Sequence, residues 1–320
     1  MDDVILVTGG AGFIGSHLVT ALHQQGYRVR VLDDLSTGHR DNLAHLQPPP
    51  ELILASVADP DALRSALQRV RLVFHLAALA SVARSIENPP ATHLACATGT
   101  LLLLEQARRH GVRRIVYAAS SSAYGGQEGT PEGQHEQLPL QPKSPYAAAK
   151  LAGELYLHAF AHAFGLQTVA LRFFNIFGPR QRADSPYSGV IPLFIKAMLH
   201  QQPPTIYGDG HQSRDFTYVD NAVQALLRAG FAPSLPAPAT TYNVGTGRSI
   251  SILQLVDALN RLLDTHIQPF FAPPRPGDVR YSRADIRRIQ HDLGYQPTVS
   301  FEQGLQRTLD WFRTLAPSSS

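Results

Sequence analysis

The sequence has few residues of the kinds that build cross-links, metal centres or membrane spans. Its 320 residues include one cysteine, Cys96, which excludes an internal disulfide and a multi-cysteine zinc site and fits a reducing compartment. The longest apolar stretch, residues 72–83, contains His75 and falls short of the about 18 residues that a membrane span needs. The N-terminus lacks the basic segment of a secretory signal. We therefore expect a soluble, cytoplasmic protein with no membrane partner.

Lysine is also scarce, because nearly all basic residues are arginine. The lysines are Lys143, Lys150 and Lys196, among 28 basic residues against 25 acidic ones, for a net charge of +3. No block of five or more basic residues occurs, so we expect no nucleic-acid partner. Scattered arginines on a mildly positive surface fit an anionic small molecule. Apolar residues make up 44 % of the chain, which is enough to bury a sizeable core.

Short β-branched runs alternate with helical patterns in the first half of the chain. Residues 4–8 predict a buried parallel strand, and residues 13–25 predict a helix that ends at Gly26. Further strands are predicted at 27–32, 51–54, 72–76, 114–119 and 168–173, and helices at 61–69, 91–110 and 145–164. This alternation predicts an α/β fold, namely a Rossmann-type, doubly wound parallel sheet with a smaller C-terminal α/β domain.

The composition changes after Gly178, where proline, glycine and polar residues become denser and the predicted elements become shorter. We expect a first domain at 1–175 that contains the parallel sheet. A second domain is expected at 176–320, with part of residues 215–245 returning to the first.

A glycine-rich loop, residues 8–15 (TGGAGFIG), joins the first strand to the first helix. Gly9 permits a tight turn, Gly12 lets a pyrophosphate approach the backbone, and Gly15 lets the helix pack close to the sheet. The helix N-terminus adds a partial positive charge for the anion. Asp33 ends the second strand, at the spacing of a carboxylate that binds the adenosine ribose and repels a 2′-phosphate. The loop therefore predicts a dinucleotide site that favours NAD over NADP.

A tyrosine and a lysine stand one helical turn apart near the start of a predicted helix. Tyr146 and Lys150 share one helix face, and a nearby ammonium favours the phenolate form of a tyrosine. Lowering the pKa of a phenol from about 10 to about 7 takes roughly 4 kcal/mol, which we expect Lys150 and a bound cationic nicotinamide to supply together. Ser120 ends a predicted strand at the sheet edge where ligands bind. Tyr146, Lys150 and Ser120 are therefore the predicted catalytic residues.

Together these segments resemble the extended short-chain dehydrogenase/reductases, and within them the nucleotide-sugar 4-epimerases. The resemblance rests on the glycine loop, on residues 120–125 (SSSAYG), on the Tyr146 and Lys150 pair, and on residues 172–178 (RFFNIFG), and it runs nearly end to end. It implies NAD as the cofactor and a UDP-sugar as the substrate. It also implies a homodimer formed through two helices per subunit, one of which carries Tyr146.

The resemblance further implies which residues line the two binding sites. We expect no metal site. For NAD they are Gly9, Gly12, Phe13, Ile14, Gly15, Asp33, Asp34, Ser36, Thr37, Gly38, Ser56, Val57, Leu76, Ala77, Ala78, Tyr146, Lys150 and Phe173. For the UDP-sugar they are Ser120, Ser121, Ser122, Tyr146, Asn175, Gly189, Val190, Tyr207, Arg214, Arg275, Asp278 and Ser282. Two arginines that bind phosphate oxygens are the expected recognition chemistry for a diphosphate.

Small residues at the sugar end of the implied pocket favour acetylated sugars. Relatives restricted to UDP-glucose and UDP-galactose carry a tyrosine at the position that matches Ser282, whereas Ser282, Gly189 and Ala80 are all small here. The resemblance therefore implies that UDP-N-acetylglucosamine and UDP-N-acetylgalactosamine interconvert by transient oxidation at C4. UDP-glucose and UDP-galactose are expected as further substrates.

Several alternative functions stay open. The 4,6-dehydratases of the family carry an Asp-Glu pair where this chain has Ser121 and Ser122, and the related decarboxylases carry an acidic residue in that segment. An epimerase restricted to UDP-glucose and UDP-galactose is a further alternative. A non-catalytic NAD-binding scaffold would typically lack the tyrosine or the lysine. A net reductase that releases NADH or uses NADPH is another alternative, and Asp33 disfavours the 2′-phosphate of NADPH.

A few residues depart from the family or have other interpretations. Ser56 stands where an aspartate usually contacts adenine, and Cys96 replaces an asparagine common near the nicotinamide ribose. Cys96 is expected to be a small buried apolar residue. His158 and His162, one turn apart, are expected on a solvated helix face, because a third metal ligand at a useful spacing is missing. His75 is expected to be a packed residue near the cofactor loop.

Overall fold

A parallel sheet flanked by helices organises the computed structural model of the chain, which describes residues 4–126, 133–183, 188–274 and 279–315. The strands in these ranges are β1 (Val4–Thr8), β2 (Val29–Asp33), β3 (Glu51–Leu54), β4 (Val70–His75), β5 (Arg114–Ser120), β6 (Gln167–Phe173), β7 (Ile176–Phe177), β8 (Thr205–Tyr207), β9 (Ser213–Arg214), β10 (Thr217–Tyr218), β11 (Ala239–Val244), β12 (Ile250–Ser251) and β13 (Phe270–Ala272). The helices are α1 (Phe13–Gln24), α2 (Pro60–Ala66), α3 (Val82–Glu87), α4 (Pro89–His93), α5 (Gly99–Arg109), α6 (Pro145–Phe164), α7 (Val190–Leu199), α8 (Val219–Phe231), α9 (Ile252–Leu263), α10 (Arg287–Leu293) and α11 (Phe301–Leu315). None of these helices, in the part of the chain that is described, is long and apolar enough to cross a membrane.

The central sheet has the strand order β11-β6-β5-β4-β1-β2-β3, and every neighbouring pair among these strands is parallel. The chain builds β2 and β3 outward from one side of β1 and then returns to add β4, β5 and β6 on the other side. In sheets of this kind, ligands bind beyond the carboxyl ends of the strands at the point of reversal. The structure confirms the predicted α/β, Rossmann-type fold.

Strands β1 and β2 are buried along their whole length because helices cover both faces of the sheet. All five residues of β1 and of β2 are buried, as expected for parallel strands with two covered faces. Helices α1 and α8 pack on one face, and α2, α5 and α6 pack on the other. The two apolar clusters hold the sheet in place, so the carboxyl ends of its strands form a fixed edge.

Helix α6 begins and ends where the sequence predicts. The Ser144 side chain accepts a hydrogen bond from the Ala147 N–H, and Pro145 occupies the first turn, which is typical of a helix start. Gly165 ends the helix in the left-handed region, at φ 69°, where glycine is the favoured residue. The predicted helix over 145–164 is confirmed.

The predicted helix over 91–110 is wrong in one respect, because it is interrupted. Residues Leu94–Thr98 form a π-helical turn between α4 and α5. The Thr100 hydroxyl, in the first turn of α5, donates a hydrogen bond to the carbonyl of Cys96 in this turn over 2.5 Å. An apolar pattern does not reveal one extra residue in a turn, so the sequence carries no signal for this feature. Helix α2 also ends at Ala66, short of the predicted 61–69.

Beyond β6, the chain alternates between the central sheet and a smaller layer. Helix α8 packs against the central sheet, and β11 joins it as an edge strand. The smaller layer consists of the paired strands β7 and β10, β8 and β13, and β9 and β12, together with α7, α9 and α11. The division of the chain into domains at residue 175 stays a prediction.

Candidate active site

The glycine loop between β1 and α1 has room for nothing larger than hydrogen at two positions. Gly9 has φ +69°, and a Cβ there would lie 2.7 Å from the Ala77 nitrogen. A Cβ at Gly15 would lie 2.1 Å from the Gly9 carbonyl oxygen. Helix α1 begins after Gly12, which contributes no side chain, so the N–H groups of the first turn can bind an anion. The loop fits the pyrophosphate of a dinucleotide.

The carboxylate of Asp33 is held at the end of β2 by backbone donors. Its two oxygens accept hydrogen bonds from the N–H of Ala11 and of Leu35, each over 2.9 Å. Burial raises the pKa of Asp33 above its usual value, and these two hydrogen bonds oppose the effect. The side chain lines the same cleft as the glycine loop. Its carboxylate can therefore accept hydrogen bonds from the hydroxyls of an adenosine ribose, which is expected at this position.

A cleft of about 900 Å³ runs along the carboxyl edge of the sheet. Most of the residues implied for NAD and for the UDP-sugar line this one cleft. They are Gly9, Gly12, Phe13, Ile14, Gly15, Asp33, Asp34, Ser36, Thr37, Ser56, Val57, Leu76, Ala77, Ala78, Ser120, Ser121, Ser122, Tyr146, Phe173, Asn175, Gly189, Arg214 and Ser282. The structure therefore brings the two predicted sites together as neighbouring parts of one cavity.

Four of the predicted site residues lie outside the wall of this cleft. Gly38 packs behind the glycine loop, where a Cβ would lie 2.9 Å from the Ala11 oxygen. Val190 lines a smaller adjoining cavity of about 430 Å³. Tyr207 lines neither cavity, and Lys150 is only 3 % exposed. Arg275 and Asp278 lie outside the residues that the structure describes.

Tyr146 and Ser120 meet at the wall of the cleft. Tyr146 lies in the first turn of α6 and Ser120 at the end of β5, and their side chains are hydrogen-bonded. The Ser120 hydroxyl also lies 2.8 Å from the hydroxyl of Ser122. One turn farther along α6, the Lys150 ammonium lies over the Tyr117 ring, 4.0 Å from its centroid. The three predicted catalytic residues therefore cluster at the junction of one strand and one helix.

Burial shifts the pKa values of the groups in this cluster. Burial raises the pKa of Tyr146, a negative charge on Cys96 would raise it further, and the hydrogen bond with Ser120 lowers it. Burial lowers the pKa of Lys150 to about 8. The described residues alone thus favour a protonated phenol at neutral pH. Depression of its pKa by Lys150 and a cationic nicotinamide together stays a prediction.

His75 and Cys96 both make structural contacts. The imidazole of His75 lies between the hydroxyls of Thr8 and Thr100, at 2.7 and 2.9 Å, and its burial lowers the pKa to about 3. Cys96 is fully buried in a small apolar cluster. Both residues are packed, as the sequence predicts. Among the described residues, no group of three or more potential ligands could hold a metal ion.

The expectation of a solvated helix face at His158 is wrong. Its Nε2 lies 3.2 Å from the Thr241 hydroxyl on β11, and the side chain is partly buried, whereas His162 is exposed. The sequence could not show this contact, because it depends on β11 returning to the sheet from more than eighty residues away.

Sequence reasoning missed several polar residues that line the cleft. They are Ser81, Arg84, Gln134, Arg180, Gln181, Arg182 and Ser188. Arg182 Nη1 lies 2.7 Å from His39 Nε2 and so spans two distant parts of the chain. Among the described residues, Gln181 Oε1 and Ser188 Oγ are buried without a hydrogen-bond partner. Buried polar atoms without a partner are costly, and these two lie in the wall of a ligand-sized cavity. For Arg180, Gln181, Arg182 and Ser188, the run of polar residues after Gly178 was the available signal.

Comparisons with known proteins agree with this geometry. The model of the "NAD dependent epimerase/dehydratase family" matches residues 5–245. A UDP-glucose 4-epimerase of Mycolicibacterium smegmatis is 39 % identical over 312 residues, which cover 96 % of this chain and 98 % of that relative. A solved UDP-N-acetylglucosamine 4-epimerase of Methanobrevibacter ruminantium, in complex with UDP-N-acetylmuramic acid, has a TM-score of 0.92 and 37 % identity, over 98 % of this chain and 100 % of that one. A UDP-glucose 4-epimerase of Thermus thermophilus in complex with NAD has a TM-score of 0.88 and 36 % identity, over 97 % and 99 % of the two chains.

Proposed function

Because this chain belongs to the NAD-dependent epimerase/dehydratase family, we propose that it inverts the configuration at C4 of a UDP-sugar. The chain is an enzyme of that family, and its cofactor is NAD. One observation carries the proposal. The hydrogen-bonded Tyr146 and Ser120 pair lies in the wall of the cleft that also contains the glycine loop. A proton acceptor and a dinucleotide site in one cavity are what reversible oxidation of an alcohol requires.

In the proposed reaction, Tyr146 handles the proton. NAD⁺, when bound, would accept hydride from C4 of the sugar and return it to the opposite face of the ring. The Tyr146 phenolate accepts the proton of the C4 hydroxyl, and Ser120 donates a hydrogen bond at the same oxygen. After the resulting 4-keto sugar has turned over in the cleft, Tyr146 returns the proton to O4. Lys150 favours the phenolate through its charge.

The residues proposed to hold the cofactor and the nucleotide follow from the cleft wall. Gly12 and Gly15 would bind the pyrophosphate of NAD, and Asp33 its adenosine ribose. Asn175 and Arg214 lie in the same wall on the substrate side, where a guanidinium binds phosphate oxygens well. Arg275 and Asp278 are proposed for the nucleotide on the strength of the sequence alone.

We propose acetylated UDP-sugars as the preferred substrates, because the side chains at the sugar end of the cleft are small. Ala80, Gly189 and Ser282 line the cleft there. The space beside them is the proposed position of the acetamido group.

The proposed function is tested by incubating the purified protein with UDP-N-acetylglucosamine, with no cofactor added. We expect conversion to UDP-N-acetylgalactosamine, because NAD is regenerated in each cycle and stays bound. Nuclear magnetic resonance of the sugar protons measures the product. The matched reaction with UDP-glucose measures the preference between acetylated and plain sugars.

Other products would point to the alternative functions. Loss of water from the sugar, seen in its mass, would indicate a 4,6-dehydratase, and loss of carbon dioxide from a UDP-uronic acid would indicate a decarboxylase. Stoichiometric consumption of NADH or NADPH would indicate a net reductase. A protein that contains NAD but converts none of these sugars would be a binding scaffold, and the proposed function would then be wrong.

We also propose that two copies of the chain pair through the helix that carries Tyr146. Helices α3 and α4 and the following π-helical turn pack along α6. On these adjacent elements, Ile86, Leu94 and Leu155 are at least half exposed. Apolar side chains grouped on neighbouring helices are typical of an association surface, and a two-fold axis lets one such face cover its own copy.

The dimer is tested with Leu155→Glu, which places a charge in the centre of the proposed interface. We expect sedimentation equilibrium to show twice the mass of one chain for the wild type and the mass of one chain for the variant. Leu315→Glu is the control, because Leu315 is about as exposed but lies at the end of α11. A wild type that sediments as a single chain contradicts this proposal.

A further inference from the structure

A buried arginine behind the catalytic cluster joins the two elements that carry it. Arg172 lies on β6 and is 3 % exposed. Its guanidinium donates two hydrogen bonds to Glu154 on α6, of which the one from Nε to Oε2 measures 3.0 Å. Glu154 follows Lys150 by one helical turn and Tyr146 by two. The arginine therefore holds the helix that carries the proposed proton acceptor.

The third nitrogen of the same guanidinium reaches the other catalytic element. Arg172 Nη1 donates a hydrogen bond of 2.8 Å to the hydroxyl of Tyr124. Tyr124 is the last residue of the turn Ser121–Tyr124, which starts directly after Ser120. The Tyr124 hydroxyl in turn donates to Asn243 Oδ1 over 2.7 Å. Arg172 thus connects α6 directly to the turn Ser121–Tyr124, and it connects both to β11 through the Tyr124 hydroxyl.

Stability alone does not explain this ion pair. Taking both charges out of water is costly, and well-packed apolar residues often serve stability as well as a buried ion pair does. A guanidinium with a bidentate carboxylate differs from apolar packing in one respect, because it fixes both distance and direction. We propose that Arg172, through Glu154 and Tyr124, is a positioning residue that sets the distance between Ser120 and Tyr146.

This inference rests on the proposed function, in which Ser120 and Tyr146 act on the same oxygen. A displacement of about 1 Å between reacting groups can lower a rate by about 100-fold. The phenol is surrounded by Cys96, Tyr117 and Ser120 and lies one turn from Lys150. Among Cys96, Tyr117 and Ser120, the residue that lowers the phenol pKa is Ser120, through its hydrogen bond. Misplacement of Ser120 therefore both slows proton transfer and makes the phenol harder to ionise.

Two variants test the two arms of the network. Arg172→Lys keeps the positive charge but loses the paired hydrogen bonds of the guanidinium to Glu154. Tyr124→Phe keeps the ring but loses the hydroxyl. We expect kcat to fall by about 10- to 100-fold in each, with KM for the UDP-sugar changed by less than about threefold. We also expect the ionisation of Tyr146 to move to higher pH. Its midpoint is measured by ultraviolet difference titration of the NAD-loaded protein, after subtraction of the same titration of Tyr146→Phe.

The control variant is Arg114→Lys. Arg114 is a similarly buried arginine on the adjacent strand, where it donates to Gln167 and to three backbone carbonyls. It lies at the start of β5, six residues and about 20 Å from Ser120. We expect this variant to lower the melting temperature without changing kcat or the titration midpoint.

The outcomes separate a positioning role from a structural one. If all three variants lower the melting temperature while kcat and the midpoint stay at wild-type values, the ion pair is structural and the inference is overturned. The titration needs no sugar, so a wild type that converts none of the tested UDP-sugars contradicts the proposed function alone. In that case, a raised midpoint in Arg172→Lys and Tyr124→Phe still supports the positioning role, and an unchanged midpoint refutes it.

Discussion

Tyr146→Phe is expected to lower the turnover of UDP-N-acetylglucosamine by about 100- to 10,000-fold, the range typical of losing a general acid or base. The substitution removes one oxygen atom, and in the structure that oxygen is the one hydrogen-bonded to Ser120. The ring remains in the first turn of α6, so the cleft keeps its shape. We therefore expect the NAD content of the purified protein, measured after denaturation, and the affinity for UDP to stay near wild-type values.

The control for this variant is Tyr156→Phe on the same helix. Tyr156 is exposed, so loss of its hydroxyl should leave turnover unchanged. If Tyr146→Phe turns over at a rate near that of the wild type, another group accepts the proton. Loss of NAD from Tyr146→Phe would indicate instead that the hydroxyl contributes to cofactor binding.

The pH dependence of kcat follows from the same group. Burial raises the pKa of Tyr146 in the protein without NAD. In the proposed reaction the phenolate is the active form, so we expect kcat to rise as pH rises towards the pKa of the phenol. A bound cationic nicotinamide lowers that pKa, which moves the rise in kcat to lower pH. The acid limb of the profile should therefore disappear in Tyr146→Phe. Titration of the NAD-free protein should give a higher midpoint than titration of the NAD-loaded protein.

The parts of the fold that the sequence predicted well are those with local causes. The glycine loop follows from residues 8–15, and α6 follows from Ser144, Pro145 and Gly165, which lie at the ends of the helix itself. Alternation of β-branched runs with helices predicts the parallel sheet, because a βαβ unit is a local pattern. The prediction that Tyr146 and Ser120 belong to one site also has local causes, since each residue lies at the boundary of an element that the sequence marks clearly.

The features that the sequence did not predict depend on partners far away in the chain. His158 contacts Thr241 only because β11 returns to the sheet. Arg182 lies beside His39, 143 residues away. The lack of a hydrogen-bond partner for Gln181 Oε1 and Ser188 Oγ depends on the positions of all the residues around them. The π-helical turn at Leu94–Thr98 changes the spacing of one turn without changing the apolar pattern.

Ser282→Tyr is expected to lower the turnover of UDP-N-acetylglucosamine by about 100-fold or more while leaving UDP-glucose turnover within a few-fold of wild type. Ser282 lies in the cleft wall and is 6 % exposed, so a phenol ring at this position would extend into the cavity. It would occupy the space that we propose for the acetamido group. Loss of one well-fitted group is worth about 10- to 200-fold in specificity, and a direct steric overlap costs at least that much. The ratio of kcat/KM for the two sugars measures the effect.

Two observations separate a change of specificity from general damage. Ser282→Ala keeps the residue small and should convert both sugars at rates near those of the wild type. The backbone N–H of residue 282 donates to the Ser213 carbonyl over 3.1 Å, and neither substitution removes this hydrogen bond, so the melting temperatures should be similar. Equal loss of both activities in Ser282→Tyr would mean that the tyrosine disturbs the binding of the nucleotide or of NAD. The acetamido group would then lie elsewhere in the cleft, and the proposed preference for acetylated sugars would lose its structural basis.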